Sequence, residues 1–328
     1  MEISRRNFLK LLLAMGIGSS VTSYARQPLE TRKTRIMMGT YVTISVMDRD
    51  REKALSAIAE AYREMDRVIM LLSRYDATSQ VSRLNTSGVL INPAPELVEV
   101  LRRALYYSRV SEGAFDVTIA PLLDLYRKAF STGRPPSSED IKEKLALIDY
   151  RNIAVGEGMI YFTKKETQIT LDGIAKGYIV DRAAEALWER DISHALIDAG
   201  GDIRAIGGKS NSASWRVGIR DPARKDAVVA YYPLRDGSIA TSGGYEVYFD
   251  KARLYTHIIN PRTGYSPGFS LSATAAAKTC MDADALSTTC FTMEEKDALA
   301  LLRRLGAHGL IVTGEGISLG RGFKKVIT

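Results

Sequence analysis

Only two of the 328 residues are cysteine, Cys280 and Cys290, and only three are histidine. Two cysteines do not make a disulfide framework, although in an oxidising compartment they could pair. No C-x-x-C or H-E-x-x-H occurs, which removes zinc and redox-dithiol chemistry as working hypotheses. No G-x-G-x-x-G follows a predicted strand beyond the first 25 residues, so a Rossmann dinucleotide site is unsupported. Lysine and arginine form no run interleaved with aromatics, which argues against nucleic acid as a partner. No internal repeat or low-complexity linker divides the chain, so one compact unit is expected.

What is present is a globular composition: 45% hydrophobic and 25% charged, with a net charge of +7 and a pI near 9.2. Residues 1–25 read as a leader and not as fold. Ser4-Arg-Arg-Asn-Phe-Leu-Lys10 resembles a twin-arginine export signal, and the apolar stretch from Leu11 to Val21 leads to the small-x-small pattern Ser23-Tyr24-Ala25. That stretch is too short and glycine-rich for a membrane span, which needs ~20 residues. The mature domain is expected over 26–328, exported to the periplasm or the outer face of the cytoplasmic membrane. Removing Arg5, Arg6, Lys10 and Glu2, together +2, leaves +5, which favours anionic ligands or a membrane surface.

Along the mature chain, residues 35–47 alternate like a strand interrupted at Met38-Gly39-Thr40, and 51–72 form an amphipathic helix. Residues 73–88 are polar and turn-rich, 95–111 helical, and 119–147 helical with a break at Pro135-Pro136. Short strands are expected at 152–155, 159–163 and 168–171, then a helix over 174–190. From His194 the texture becomes strands and glycine turns: 194–198, 202–206, 215–219, 227–233, 238–241, 245–249, 254–259 and 271–277. Two helices, 282–292 and 294–305, and strands at 309–313 and 316–319 close the chain. Blocks of helices and strands, without strict βαβ alternation, indicate an α+β fold of mainly antiparallel sheets flanked by helices.

Asp284 and Thr288 stand four apart, so on a helix both oxygens leave one face. A carboxylate and a hydroxyl aimed together suit a hard dication such as Mg2+, which works beside substrate phosphates. A polar helix start, capped by Asp282 or Asp284, explains the same residues. Ile174-Ala-Lys-Gly-Tyr178 follows a predicted strand, and a glycine-bearing turn into a helix receives phosphate well, with Lys176 adding charge. A helix simply capped by Asp172 fits equally. Ala199-Gly-Gly-Asp202 allows close backbone approach to a ligand, or is a tight hairpin. Gly207-Gly-Lys-Ser210 imitates the end of a phosphate loop, but Ile203 stands where that loop needs glycine and strands follow. His194 and His308 sit at helix-to-strand junctions and read as structural. His257, at a predicted strand end before a proline turn, could touch a ligand or move a proton. Cys290 reads as a small buried thiol.

The ordered set is more specific than its members. Met38-Gly-Thr40, Ser73-Arg-Tyr75 with Ser82-Arg-Leu-Asn85, Gly113-Ala-Phe-Asp-Val-Thr118 and Gly173-Ile-Ala-Lys-Gly-Tyr178 come in that order. Ala199-Gly-Gly-Asp-Ile203, Ala240-Thr-Ser-Gly243, His257-Ile-Ile-Asn-Pro-Arg-Thr-Gly264 and Ala283-Asp-Ala-Leu-Ser-Thr288 complete it. From about residue 35 to 320 the chain resembles the ApbE family of FAD:protein FMN transferases. The resemblance implies a T-fold-like architecture and an exported, Mg2+-dependent enzyme. Such an enzyme cleaves FAD, attaches FMN to a serine or threonine of a target flavoprotein and releases AMP. It implies that Met38, Tyr75, Ala114, Phe115, Asp116, Asp172, Tyr178 and His257 line the FAD site, where the Ile174–Lys176 turn, with the Lys176 charge, helps orient the diphosphate. The metal ligands it implies are the Ala175 carbonyl, Asp284 and Thr288. His257 and Asp284 are the catalytic candidates, and either His257 or a nearby carboxylate serves as base for the attacking hydroxyl. The implied acceptor is a flavoprotein subunit of a membrane-associated redox complex.

One departure stands out. Family members commonly carry Asp-Leu-Gly/Ser before the Ile-Ala-Lys-Gly run, whereas here Thr170-Leu171-Asp172 precedes Gly173, displacing the acid by two positions. Asp172 is a further metal ligand, or FAD is handled differently. Plain FAD hydrolysis to FMN and AMP, and a periplasmic flavin-binding protein without turnover, are the alternative functions.

Overall fold

Alternation of small and apolar residues along the strands from His194 onward places two cores on opposite faces of one sheet. The structure, a computed structural model, describes residues 28–224, 226–244, 255–268 and 270–326. The leader and the strand expected at 245–249 lie outside the described residues.

The central sheet has eight strands: β1 (Leu29–Met37), β2 (Thr40–Asp48), β6 (Ala195–Ala199), β7 (Asp202–Ile206), β10 (Ser238–Gly243), β11 (Ser270–Ala277), β12 (His308–Thr313) and β13 (Ile317–Leu319). They lie side by side in the order β1-β2-β6-β7-β10-β11-β12-β13. Every strand pairing among the described residues is antiparallel, as expected for an α+β fold. A sheet of β14 (Lys324–Lys325), β9 (Val228–Leu234) and β8 (Trp215–Arg220) covers one face. A third sheet joins β3 (Val89–Ile91), β5 (Met159–Phe162) and β4 (Ile153–Val155).

On the other face lie α1 (Arg51–Leu72), α3 (Pro95–Val110), α6 (Ala175–Trp188) and α7 (Cys280–Thr292). The period-2 pattern decides which core each residue joins. Ala273, Ala275 and Ile311 face the helices, whereas Ala276, Leu310 and Val312 face the small sheet with Trp215 and Val217. α1 shows the helical counterpart: Ala54, Ile58, Ala61, Met65, Val68 and Leu72 share its buried stripe, and Asp50 caps its first amides. A Leu or Met side chain fully buried in that way contributes about 1.5–3 kcal/mol. A third cluster links α4 (Ala120–Ser131), α5 (Ser138–Leu145) and Ile259.

α7 differs from an ordinary surface helix. Eleven of its thirteen residues are buried, on every side, so it is a core element. It lies across β10 and β11, where the run Ser-Ala-Thr-Ala-Ala of β11 offers only short side chains and lets the helix approach.

The structure corrects several expectations. Residues 80–87, read as turns, form α2 (Gln80–Ser87), capped by the Ser79 hydroxyl. Residues 168–171 are not a strand, and of 254–259 only Thr256 makes an isolated bridge, with residue 254 outside the described set. Cys280 and Cys290 are both free and buried. Ten positions along one helix separate them by ~15 Å, far beyond the ~4.4–6.8 Å of bridged cysteines, so they cannot pair. Burial pushes the Cys290 thiol up to about 12.

Candidate active site

The site lies where α6 and α7 meet the ends of β7 and β10. Leu171 turns the chain into α6, its carbonyl accepting from the Ile174 amide at 3.0 Å and the Ala175 amide at 2.8 Å. No side chain caps this helix, so Asp172 is not its N-cap. The bare start leaves its first amides for other partners. One of them, the Gly177 amide, donates to Asp284 Oδ2 at 2.9 Å.

That bond requires glycine. A Cβ on Gly177 would stand 2.2 Å from the Cys280 carbonyl oxygen and 2.8 Å from Asp284 Cβ. Gly173 makes a second close approach, where a Cβ would meet Thr288 Cγ2 at 3.1 Å and Phe115 Cε2 at 3.2 Å. The glycine-rich turn thus lies against the residues of α7 that carry chemistry.

Asp284 and Thr288 do share one face of α7, and both line a cavity of about 120 Å³. Around it stand Ala114, Phe115, Asp116, Asp172, Lys176 and His257 from the sequence-derived set, with Asp202, Thr241 and Ser242 in addition. Phe115, Ile119, Leu123, Ile259 and Pro261 give the cavity an apolar side.

Four residues of the set are not part of the cavity lining itself. Tyr178 is buried, and its hydroxyl donates to Glu99 Oε2 at 3.0 Å, away from the cavity lining. Tyr75 is 65% exposed and reaches the rim by donating to Asp172 Oδ2 at 2.8 Å. Met38 occupies the β1–β2 turn in a left-handed conformation, with φ 51°. Ala175 begins α6, two residues before the Gly177 amide. Asp116 lines the wall, but both of its oxygens serve the loop: Oδ1 accepts from the Thr118 amide and hydroxyl, Oδ2 from the Tyr150 amide. Burial pushes its carboxyl above the ordinary range.

Electrostatics sets the character of the cavity. Asp284 is 4% exposed, and burial raises its carboxyl well above the carboxylate range. The Asp202 charge pushes it further, while Lys176 and the Gly177 amide pull it back. Lys176 Nζ lies 3.3 Å from Asp202 Oδ2. Besides Asp116, whose oxygens serve the loop, three carboxylates, Asp172, Asp202 and Asp284, therefore share the cavity with this lysine.

Asp284 Oδ1 has no hydrogen-bond partner among the described residues. Thr288 Oγ1 is 3.2 Å from Ser242 Oγ, which is itself 2.8 Å from Ser287 Oγ. A free carboxylate oxygen, a hydroxyl and excess negative charge fit a hard dication. Among the described residues no three His, Cys, Asp or Glu side chains form a metal cluster, so such an ion would need hydroxyl, carbonyl or ligand oxygens as well.

Asp202, Thr241 and Ser242 were missed as site residues, although their motifs had been singled out. β7 pairs with β10 through Ser238–Arg204 and Ile239–Ile203. Extending that register by one residue sets Asp202 level with Ala240, just before Thr241. Only this non-local pairing joins the two motifs. His194 and His308 hold structural contacts as expected, to Gly208 and Asn211 and to Tyr232 respectively.

Fold and site define an α+β protein with an oxygen-lined cavity that has one apolar side. Residues 38–311 match the model of the ApbE family, and the chain belongs to that family. It is 31% identical over 310 residues to the FAD:protein FMN transferase of Treponema pallidum, covering 86% of this chain and 84% of that protein. It is 28% identical over 327 residues to that of Haemophilus influenzae, covering 93% of each. Among solved structures, the ApbE protein of Thermotoga maritima superposes with a TM-score of 0.82 at 32% identity, covering 89% of this chain and 97% of the other. The flavin transferase ApbE of Vibrio cholerae gives 0.76 at 26% identity, covering 89% and 96%.

Proposed function

We propose that this chain is a flavin transferase that moves the FMN half of FAD onto a serine or threonine hydroxyl of an acceptor protein, releasing AMP. Family membership supports flavin transfer. The observation that carries the chemistry is the convergence of Asp284, Thr288 and Lys176 on one cavity.

The Ala175 carbonyl, Asp284 Oδ1 and Thr288 Oγ1 would hold Mg2+, which supplies charge neutralisation on the pyrophosphate. The chain's own residues do the rest. Lys176, at the start of α6, offers a positive charge to the diphosphate beside a helix N-terminus. Phe115 and the apolar wall receive the flat part of the ligand. Part of FAD would enter the cavity and the remainder lie along the rim, where Tyr75 stands exposed. Asp172 anchors Tyr75 there, and Tyr178 acts indirectly by packing α6. His257, on the cavity wall, is the group placed to accept the proton of the attacking hydroxyl.

Export by the twin-arginine route, with a flavoprotein subunit of a membrane-associated redox complex as acceptor, completes the proposal. The test is mass analysis of an acceptor incubated with this protein, FAD and MgCl2. Addition of one FMN with one AMP released is the expected result. Free FMN with an unmodified acceptor would make the protein a hydrolase, and unchanged FAD a binding protein.

A further inference from the structure

Asp181 is a half-buried acid that the mechanism above does not use. It lies one turn beyond Gly177 on α6, and its carboxylate accepts two backbone amides from the start of α7. Oδ1 takes the Cys280 amide at 2.9 Å and Oδ2 the Met281 amide at 2.8 Å. These are the first two residues of α7, whose amides have no partner within the helix. Asp284 does the reverse, accepting the Gly177 amide near the start of α6. The two antiparallel helices thus cap each other through one aspartate apiece, four residues apart on each helix. Arg204 Nε stands 3.8 Å from Asp181 Oδ1, and the same guanidinium donates to the Lys278 carbonyl, bracing the turn before α7.

We propose that Asp181 is a positioning residue: its two-amide grip fixes the register of α7 on α6 and thereby where Asp284 stands in the cavity. Thr279 already caps the same helix end, its hydroxyl accepting from the Asp282 amide at 3.1 Å. Holding α7 together therefore does not require Asp181. What Asp181 supplies and Thr279 does not is a link between the two helices. A carboxylate with two acceptor oxygens can serve two adjacent amides; an amide side chain offers one acceptor and turns an N–H₂ against the other donor.

The direct test needs neither metal nor flavin: amide hydrogen exchange at Gly177 in the full chain, normalised to the Ile44 amide in β2. Asp181→Asn is expected to speed Gly177 exchange by about tenfold or more, the scale on which supporting contacts tune a site. Thr279→Ala, which weakens the same helix end without touching the link, should change it less than about twofold. Unchanged exchange in Asp181→Asn, or an equal effect of Thr279→Ala, overturns the proposal. Should Asp181→Asn fail to fold, Cys280→Pro decides by the same criterion. It deletes one donated amide at a helix position that tolerates proline, after an extended Thr279 (φ −111°, ψ 154°).

A second arm rests on the Mg2+ reading of Asp284. Asp181→Asn should raise the half-saturating Mg2+ concentration about tenfold, with kcat at saturating Mg2+ nearly retained. Loss of kcat with no Mg2+ shift contradicts the positioning role. A wild-type protein indifferent to Mg2+ refutes the metal reading alone, and the exchange result still judges Asp181.

Discussion

The Gly177 amide and the Asp284 carboxylate meet across 2.9 Å, joining the start of one buried helix to the middle of another. Everything proposed for the site depends on this contact, because it occupies one carboxylate oxygen and leaves the other to the cavity.

Gly177→Ala is expected to force the helices apart, since its Cβ would lie 2.2 Å from the Cys280 carbonyl oxygen. Overpacking of this kind costs about 1–3 kcal/mol. Urea unfolding should show that loss, and flavin transfer should fall with it. A variant of wild-type stability would mean that α6 and α7 are not held so closely.

Lys176→Met removes the cavity's positive charge while keeping an apolar stem. Weaker capture of the diphosphate is expected, seen as a KM for FAD raised roughly tenfold and less sensitive to salt. Steady-state assays across ionic strength check this; an unchanged KM places the diphosphate elsewhere.

Asp181 supplies a pH signature. Burial holds its carboxyl at about 6, above the unfolded value near 3.8. A raised acid pKa means that the folded state binds its proton more tightly. Stability from this group is therefore greatest at low pH and is lost as pH rises from about 4 to 6. The stability of Asp181→Asn relative to wild type should grow over that interval, by up to roughly 3 kcal/mol, and level off above it. Thermal melts at several pH values measure the difference. A flat difference from pH 4 to 7 would show that Asp181 is not so shifted.

These cases also show how much the sequence could reveal. The Asp284–Thr288 spacing is a property of one helix, and local periodicity was enough to find it. α1, α4 and α5 were legible for the same reason, each carrying its own stripe or proline break. The capping alternative for Asp172 fails because its side chain is taken by Tyr75, 97 residues away. Tyr178 points to Glu99 and not into the cavity, a choice made by packing against α3. Asp202 joins the site only through the pairing of β7 with β10, which no local pattern encodes.

The leader proposed for residues 1–25 gives a prediction independent of the cavity. Replacing Arg5 and Arg6 by lysines should leave precursor in the cytoplasm, as judged by fractionation and precursor size. Normal export of the variant contradicts the twin-arginine assignment.

The central claim is that Asp284 and Thr288 support Mg2+-dependent transfer of FMN. The most direct measurement is the rate of FMN addition to an acceptor, followed by mass across a Mg2+ titration, for wild type and Asp284→Ala. A wild-type rate that saturates with Mg2+ and a variant at least ~100-fold slower at every concentration, still folded by its melting curve, are predicted. An Asp284→Ala protein that labels the acceptor at the wild-type rate in limiting Mg2+ would contradict the account.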